Sequence, residues 1–162
     1  ASDVYKRQAL NEYAPLGIEA TVTNTATVSG TGITPVTATE TVNAEAAPNL
    51  AITKSVSPVP VTENGTLTYT FRIQNYGSVA ATNTTGVVIT DTFAPVLNNL
   101  TAALNGTAWT AATDYTYNEA TGTFSSTAGA ITVPAATYTQ DSTTGAWVVT
   151  PGESTLVITG TV

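Results

Sequence analysis

Residues 66–73 read TLTYTFRI, and this alternation constrains the fold more than any other feature of the chain. Leu67, Tyr69, Phe71 and Ile73 fall on one side, while Thr68, Thr70 and Arg72 fall on the other. A period of two places these sets on opposite faces of a pleated strand, one suited to a core and one to water. The same period recurs along most of the chain, and no window carries the spacing of an amphipathic helix. Composition points the same way, because 36 of the 162 residues are Thr. A β-branched side chain with one hydroxyl suits the wet face of a sheet and disfavours helix interiors. The chain reads as all-β.

Turn residues divide the alternation into short strands. Ile18, Ala20, Val22, Asn24, Ala26 and Val28 share one face against Thr21, Thr23, Thr25 and Thr27, which predicts a half-buried strand followed by a Gly-rich turn. A second strand is expected at Val36–Val42, and AEAAP at Ala44–Pro48 is a small-residue linker. Further strands are expected at Leu50–Ser57, Thr66–Asn75, Val87–Thr92, Leu100–Leu104, Asp114–Asn118, Gly122–Ser125, Ala136–Gln140, Ala146–Thr150 and Ser154–Val162. NEATG at Asn118–Gly122 and DSTTG at Asp141–Gly145 are turn clusters between strand-like runs, so each predicts a hairpin. Many short strands without helices imply two packed antiparallel sheets, an immunoglobulin-like β-sandwich without its disulfide.

Side chains that are missing narrow the chemistry. The chain has no Cys, His or Met. No thiol nucleophile, imidazole base, disulfide, or Cys or His metal ligand is therefore available, and no cofactor is expected. Four basic residues stand against 11 acidic ones, for a net charge of −7. Phosphate binding draws on clustered Lys and Arg, so this balance excludes nucleic acid and an anionic membrane surface as partners. No apolar run is long enough for a membrane span. Asp3–Gln8, DVYKRQ, resembles a translated library adapter, and residues 1–8 are set aside as an artefact.

Three segments fall in a recognisable order: PNLAITKSVSP at Pro48–Pro58, NGTLTYTFRIQNYGS at Asn64–Ser78 and VVITDTF at Val87–Phe93. Together they resemble domain of unknown function eleven, the conserved repeat of bacterial cell-surface proteins. An extra TTG at Thr84–Gly86 departs from that pattern. The family's closing strand is similar to TVTNTATVSG at Thr21–Gly30, which here precedes the main domain. The resemblance thus implies a window on a tandem array: residues 9–47 are the last strands of a preceding repeat plus linker, and residues 48–162 a sandwich lacking its last strand. On that reading the Ile18–Val28 strand adds to the sandwich in place of the missing one.

Three functional readings follow. The first is a non-catalytic structural repeat, a spacer in the stalk of an adhesin-like surface protein, extracellular, with neighbouring repeats of the same chain as its partners. The second is a module that binds host or cell-wall glycans, with Trp109, Trp147, Tyr115, Tyr117 or Tyr138 as a stacking platform. Trp147, before Val148 and Val149, reads as core, and Trp109 reads either way. The third, a glycosidase with paired carboxylates, is the weakest, because the acidic residues Glu63, Asp114, Glu119 and Asp141 scatter through turns and strand ends. No run of alternating Asp and Asn with a closing Glu forms a calcium loop, and no catalytic or metal residue is assigned.

The alternation also places three polar residues on faces expected to be buried. Lys54 shares a face with Leu50, Ile52 and Val56; Asp91 with Val87 and Ile89; Asn24 with Val22, Ala26 and Val28. A buried charge needs a partner, so one expectation is a Lys54–Asp91 ion pair at the end of the sandwich. The bolder one, from bacterial surface sandwiches of similar type, is an isopeptide bond. The Lys54 amine would attack the Asn24 carboxamide, Asp91 would polarise the carbonyl and carry protons, and ammonia would leave.

Overall fold

The computed structural model describes residues 21–43 and 46–162. The adapter-like stretch 1–8, the start of the Ile18–Val28 strand and part of the 44–48 linker lie outside the described residues. The strands are β1 (Thr21–Gly30), β2 (Ile33–Asn43), β3 (Leu50–Ser57), β4 (Thr66–Asn75), β5 (Thr90–Thr92), β6 (Asn98–Leu104), β7 (Thr107–Ala108), β8 (Tyr115–Asn118), β9 (Thr123–Ser126), β10 (Thr137–Gln140), β11 (Trp147–Thr150) and β12 (Gly152–Thr161). One short 3₁₀ turn, Asn83–Thr85, breaks the pattern. The protein is all-β and divides into two compact units, one holding the N-terminal strands with residues 138–148, the other residues 47–137 with 149–162.

In the first unit β1 and β2 form an antiparallel hairpin around Thr31–Gly32, with Thr23, Thr25 and Thr27 opposite Thr41, Thr39 and Thr37. The hydroxyls of Thr25 and Thr39 are 3.0 Å apart, and those of Thr23 and Thr41 are 3.3 Å apart. Among the described residues the hydrogen-bonded partner of β1 is β2, and the start of the strand expected to add to the sandwich lies outside them. A tight local turn closes a ladder at the lowest loop entropy, and Gly32 supplies the positive φ that the turn requires.

β10 and β11 form a second two-stranded sheet. Asp141 organises the turn between them, its Oδ1 accepting the amides of Thr143 and Thr144 at 2.8 Å each. Those bonds favour the ionised form and hold the Asp141 carboxyl below its usual range. Both expected hairpins, here and at Asn118–Gly122 between β8 and β9, are present.

The second unit is an antiparallel sandwich of two sheets, ordered β3-β4-β12-β6-β7 and β5-β9-β8. Its core takes Leu67, Tyr69, Phe71 and Ile73 from β4, Leu156 and Ile158 from β12, and Ala102 and Leu104 from β6. The facing layer supplies Ile89, Phe93, Leu97, Tyr115 and Phe124, with Ile131 and Val133 filling one end. The Ser154–Val162 strand expected at the C-terminal end is central, as β12, hydrogen-bonded to both β4 and β6. β5 is shorter than the expected Val87–Thr92, because the Ile89 amide donates to the Ser126 hydroxyl at 2.9 Å instead of to a ladder carbonyl.

Candidate functional site

The Lys54–Asp91 pair forms, and it forms where the two sheets meet at their edges. β3 is the outer strand of the five-stranded sheet and β5 the outer strand of the three-stranded one. Lys54 Nζ donates to Asp91 Oδ2. The ammonium also lies over aromatic faces, 4.9 Å from the ring centre of Tyr69, 5.2 Å from Phe93 and 5.4 Å from Phe71. Negative π-faces and a carboxylate thus hold one cation between the layers.

Burial is less complete than the alternation predicts. The Lys54 and Asp91 side chains keep 40% and 19% of their exposure, and all eight residues of β3 are exposed. Phase is as expected, but an edge strand has a neighbour on one side only, so its inward row stays open to water. Solvent screening then places the pair near the surface range. A double-mutant cycle with Lys54→Met and Asp91→Ala, followed by urea denaturation, should return a coupling of about 1 kcal/mol. Zero coupling would show that the clip contributes nothing.

Asn24 is exposed on β1, opposite Glu40. The expectation that it shares a buried face is overturned: among the described residues β1 is hydrogen-bonded to β2 alone, and Asn24 is open to water. An isopeptide bond from Lys54 needs a buried carboxamide, and that of Asn24 is not. Trp109 is half-buried, packs against the core, and stacks on Tyr115 at 6.5 Å between ring centres. Tyr115 in turn stacks on Phe124 at 5.4 Å, so the half-buried indole ends an aromatic stack. Tyr117 anchors the Leu97 backbone, its hydroxyl donating to the carbonyl at 3.0 Å and accepting from the amide at 2.9 Å. Trp147 and Tyr138 are half-buried on the β10–β11 hairpin, and Trp147 is not part of the core cluster assigned to it from sequence.

One polar site was not anticipated. Asn75, at the end of β4, is fully buried, and its amide joins four backbone groups. Oδ1 accepts the amides of Asn49 and Gly77 at 2.9 Å each, and Nδ2 donates to Val79 O at 2.7 Å and to Pro134 O at 3.0 Å. Chain segments approach closely around it. A Cβ on Gly77 would stand 2.1 Å from Ala47 O, and one on Gly152 would stand 2.0 Å from Pro134 O. The signal was the Asn-x-Gly at the end of the core strand, where a polar residue takes a core phase.

Among the described residues every buried side-chain polar atom has a partner, and no cluster of three acidic groups could hold a metal. No described helix is long and apolar enough to cross a membrane. No protein-family model, curated protein or solved structure matches the chain.

Proposed function

We propose that the chain is a structural repeat, a non-catalytic spacer of a bacterial cell-surface array, with an immunoglobulin-like sandwich, as its resemblance to domain of unknown function eleven implies. One observation supports this reading above the others. β3 and β12 both run antiparallel to β4, so they run parallel to each other. Leu50 and Gly152 lie opposite Asn75, while Thr161 lies opposite Thr66, so the chain enters the sandwich at one end and leaves at the other. The ten residues of β12 separate those ends by about 30 Å at the usual rise of a strand.

This is the geometry a spacer needs. Tension along the chain pulls β3 and β12 in opposite directions past β4. The load falls on eight residue pairs of one ladder and ten of the other, which must slip together instead of opening one by one. Asn75 pins the loaded end, and the Lys54–Asp91 clip ties the two layers at the edge that carries β3.

Single-molecule pulling on the full chain in a polyprotein tests the reading. Attachment through the chain ends should give unfolding forces several-fold above those from attachment through Ala51→Cys and Glu153→Cys, which both lie opposite Gln74 and load the same strands crosswise. Equal forces in the two directions would sink the spacer reading.

A further inference from the structure

We propose that the free edge of β3 is a strand-acceptor surface for a second copy of this chain, and that the segment it takes is β2. The proposal stands on the two open surfaces themselves and does not depend on the spacer reading.

The acceptor is unusually open for a sheet edge. Among the described residues β3 has one hydrogen-bonded neighbour, β4, and on its other side the outward-pointing backbone groups of alternate residues have no ladder partner. Leu50, Ile52 and Val56 are 38%, 52% and 39% exposed on the row that should face the core. Beside them runs an apolar groove of about 170 Å³, lined by Leu50, Ile52, Ile73, Val87 and Ile89 among others. Proteins blunt such edges with outward charges, prolines or bulges. β3 has no proline or bulge, and its one charge, Lys54, is turned inward onto Asp91.

The donor has the converse need. Among the described residues β2 has β1 as its one hydrogen-bonded neighbour, and a two-stranded ladder gains most from a third strand and a covered face. In the β1–β2 hairpin Val28, Ile33 and Val36 are 66%, 56% and 65% exposed. Charge then selects the strand. β2 repeats Val36, Ala38, Glu40 at alternate positions, and β3 repeats Leu50, Ile52, Lys54 at the same spacing. Parallel addition sets Val36 beside Leu50, Ala38 beside Ile52 and Glu40 beside Lys54. Antiparallel addition keeps Glu40 beside Lys54 and moves Ala38 to Val56. In either direction Glu40 adds a second carboxylate beside the Lys54 ammonium that already holds Asp91, and in the parallel direction Val36 and Ala38 lie along the groove. Donor and acceptor are different surfaces, so the contact is head-to-tail and can extend beyond a dimer.

The absence of cysteine gives a clean background for the test. Single variants at exposed positions, Ala38→Cys in one preparation and Ile52→Cys or Val56→Cys in the other, are mixed and oxidised mildly. A mixed disulfide dimer should form well above a control pairing of Ala38→Cys with Val148→Cys, whose position is equally open. The acceptor position that joins reports the strand direction. Sedimentation of the unmodified chain should show association growing with concentration, weakened about fivefold by Glu40→Lys. Any of four results would overturn the proposal: mixed dimer no more abundant than the control; Ile52→Cys joining chiefly to itself; a disulfide closing within one chain of a variant carrying both Ala38→Cys and Ile52→Cys while the mixture of single variants stays monomeric; or an unmodified chain that remains monomeric to millimolar concentration.

Discussion

Asn75→Ala should lower the stability of the sandwich by roughly 4–6 kcal/mol, with unfolding by urea followed through tryptophan fluorescence as the measurement. The truncation removes one acceptor and one donor group that together serve four backbone partners, at Asn49, Gly77, Val79 and Pro134. A buried backbone group left without a partner costs about 1–3 kcal/mol, and here two amides and two carbonyls are stranded at once. The residue itself has no exposure, while the bonds to Asn49, Val79 and Pro134 are part-buried, which keeps the expected loss at the low end of four such costs. The neighbourhood is not free to collapse into the gap. Gly77 and Gly152 already carry backbone oxygens where any side chain would sit. A loss below about 1 kcal/mol would mean that the four groups find other partners and that the knot is incidental.

Phe93→Ala is expected to cost about 3–5 kcal/mol by the same measurement, the range for deleting a buried aromatic. Its ring is 2% exposed and is the meeting point of the core aromatics. Tyr69 lies 4.7 Å away, Tyr117 6.2 Å and Phe124 6.3 Å, each at an angled approach that suits ring edges to ring faces. The ring also forms part of the surface beneath the Lys54 ammonium. Combining Phe93→Ala with Lys54→Met should therefore cost less than the two single losses added, because both remove the same contact. Strict additivity would show that the cation draws nothing from this ring.

These two residues differ in how far they could be read from the sequence. Phe93 stands next to the VVITDT run, and its burial follows from ordinary apolar patterning. The bounds of β3 and β4 agree with their alternation to the residue, and the hairpins at Asn118–Gly122 and Asp141–Gly145 follow from turn chemistry that is local. The β6–β7 hairpin turns on Asn105–Gly106, a pair that takes positive φ at both positions, and no strand was expected at Thr107–Ala108. β5 was overestimated because alternation continues through Val87–Ile89, while the ladder becomes one-sided at Ile89, whose carbonyl still accepts the Ser126 amide but whose own amide goes to the serine hydroxyl.

What the sequence determined by itself is whatever depends on near neighbours: strand after strand, the face each residue takes, the turns between them, and hence an all-β chain with Lys54 and Asp91 directed inward. Alternation carries phase because the pleat repeats every two residues wherever the strand ends up. Only the tertiary structure decided which strands sit at edges and which at the centre, and that decision set the rest. It put β12 between β4 and β6, left β3 with one neighbour so that Lys54 is paired but half-open, left Asn24 exposed on a hairpin instead of in a core, and gathered four distant backbone groups around Asn75. Strand order is a choice among long-range pairings of similar local quality, settled by how completely the two layers can cover one another and satisfy their buried polar groups, and no local pattern records it.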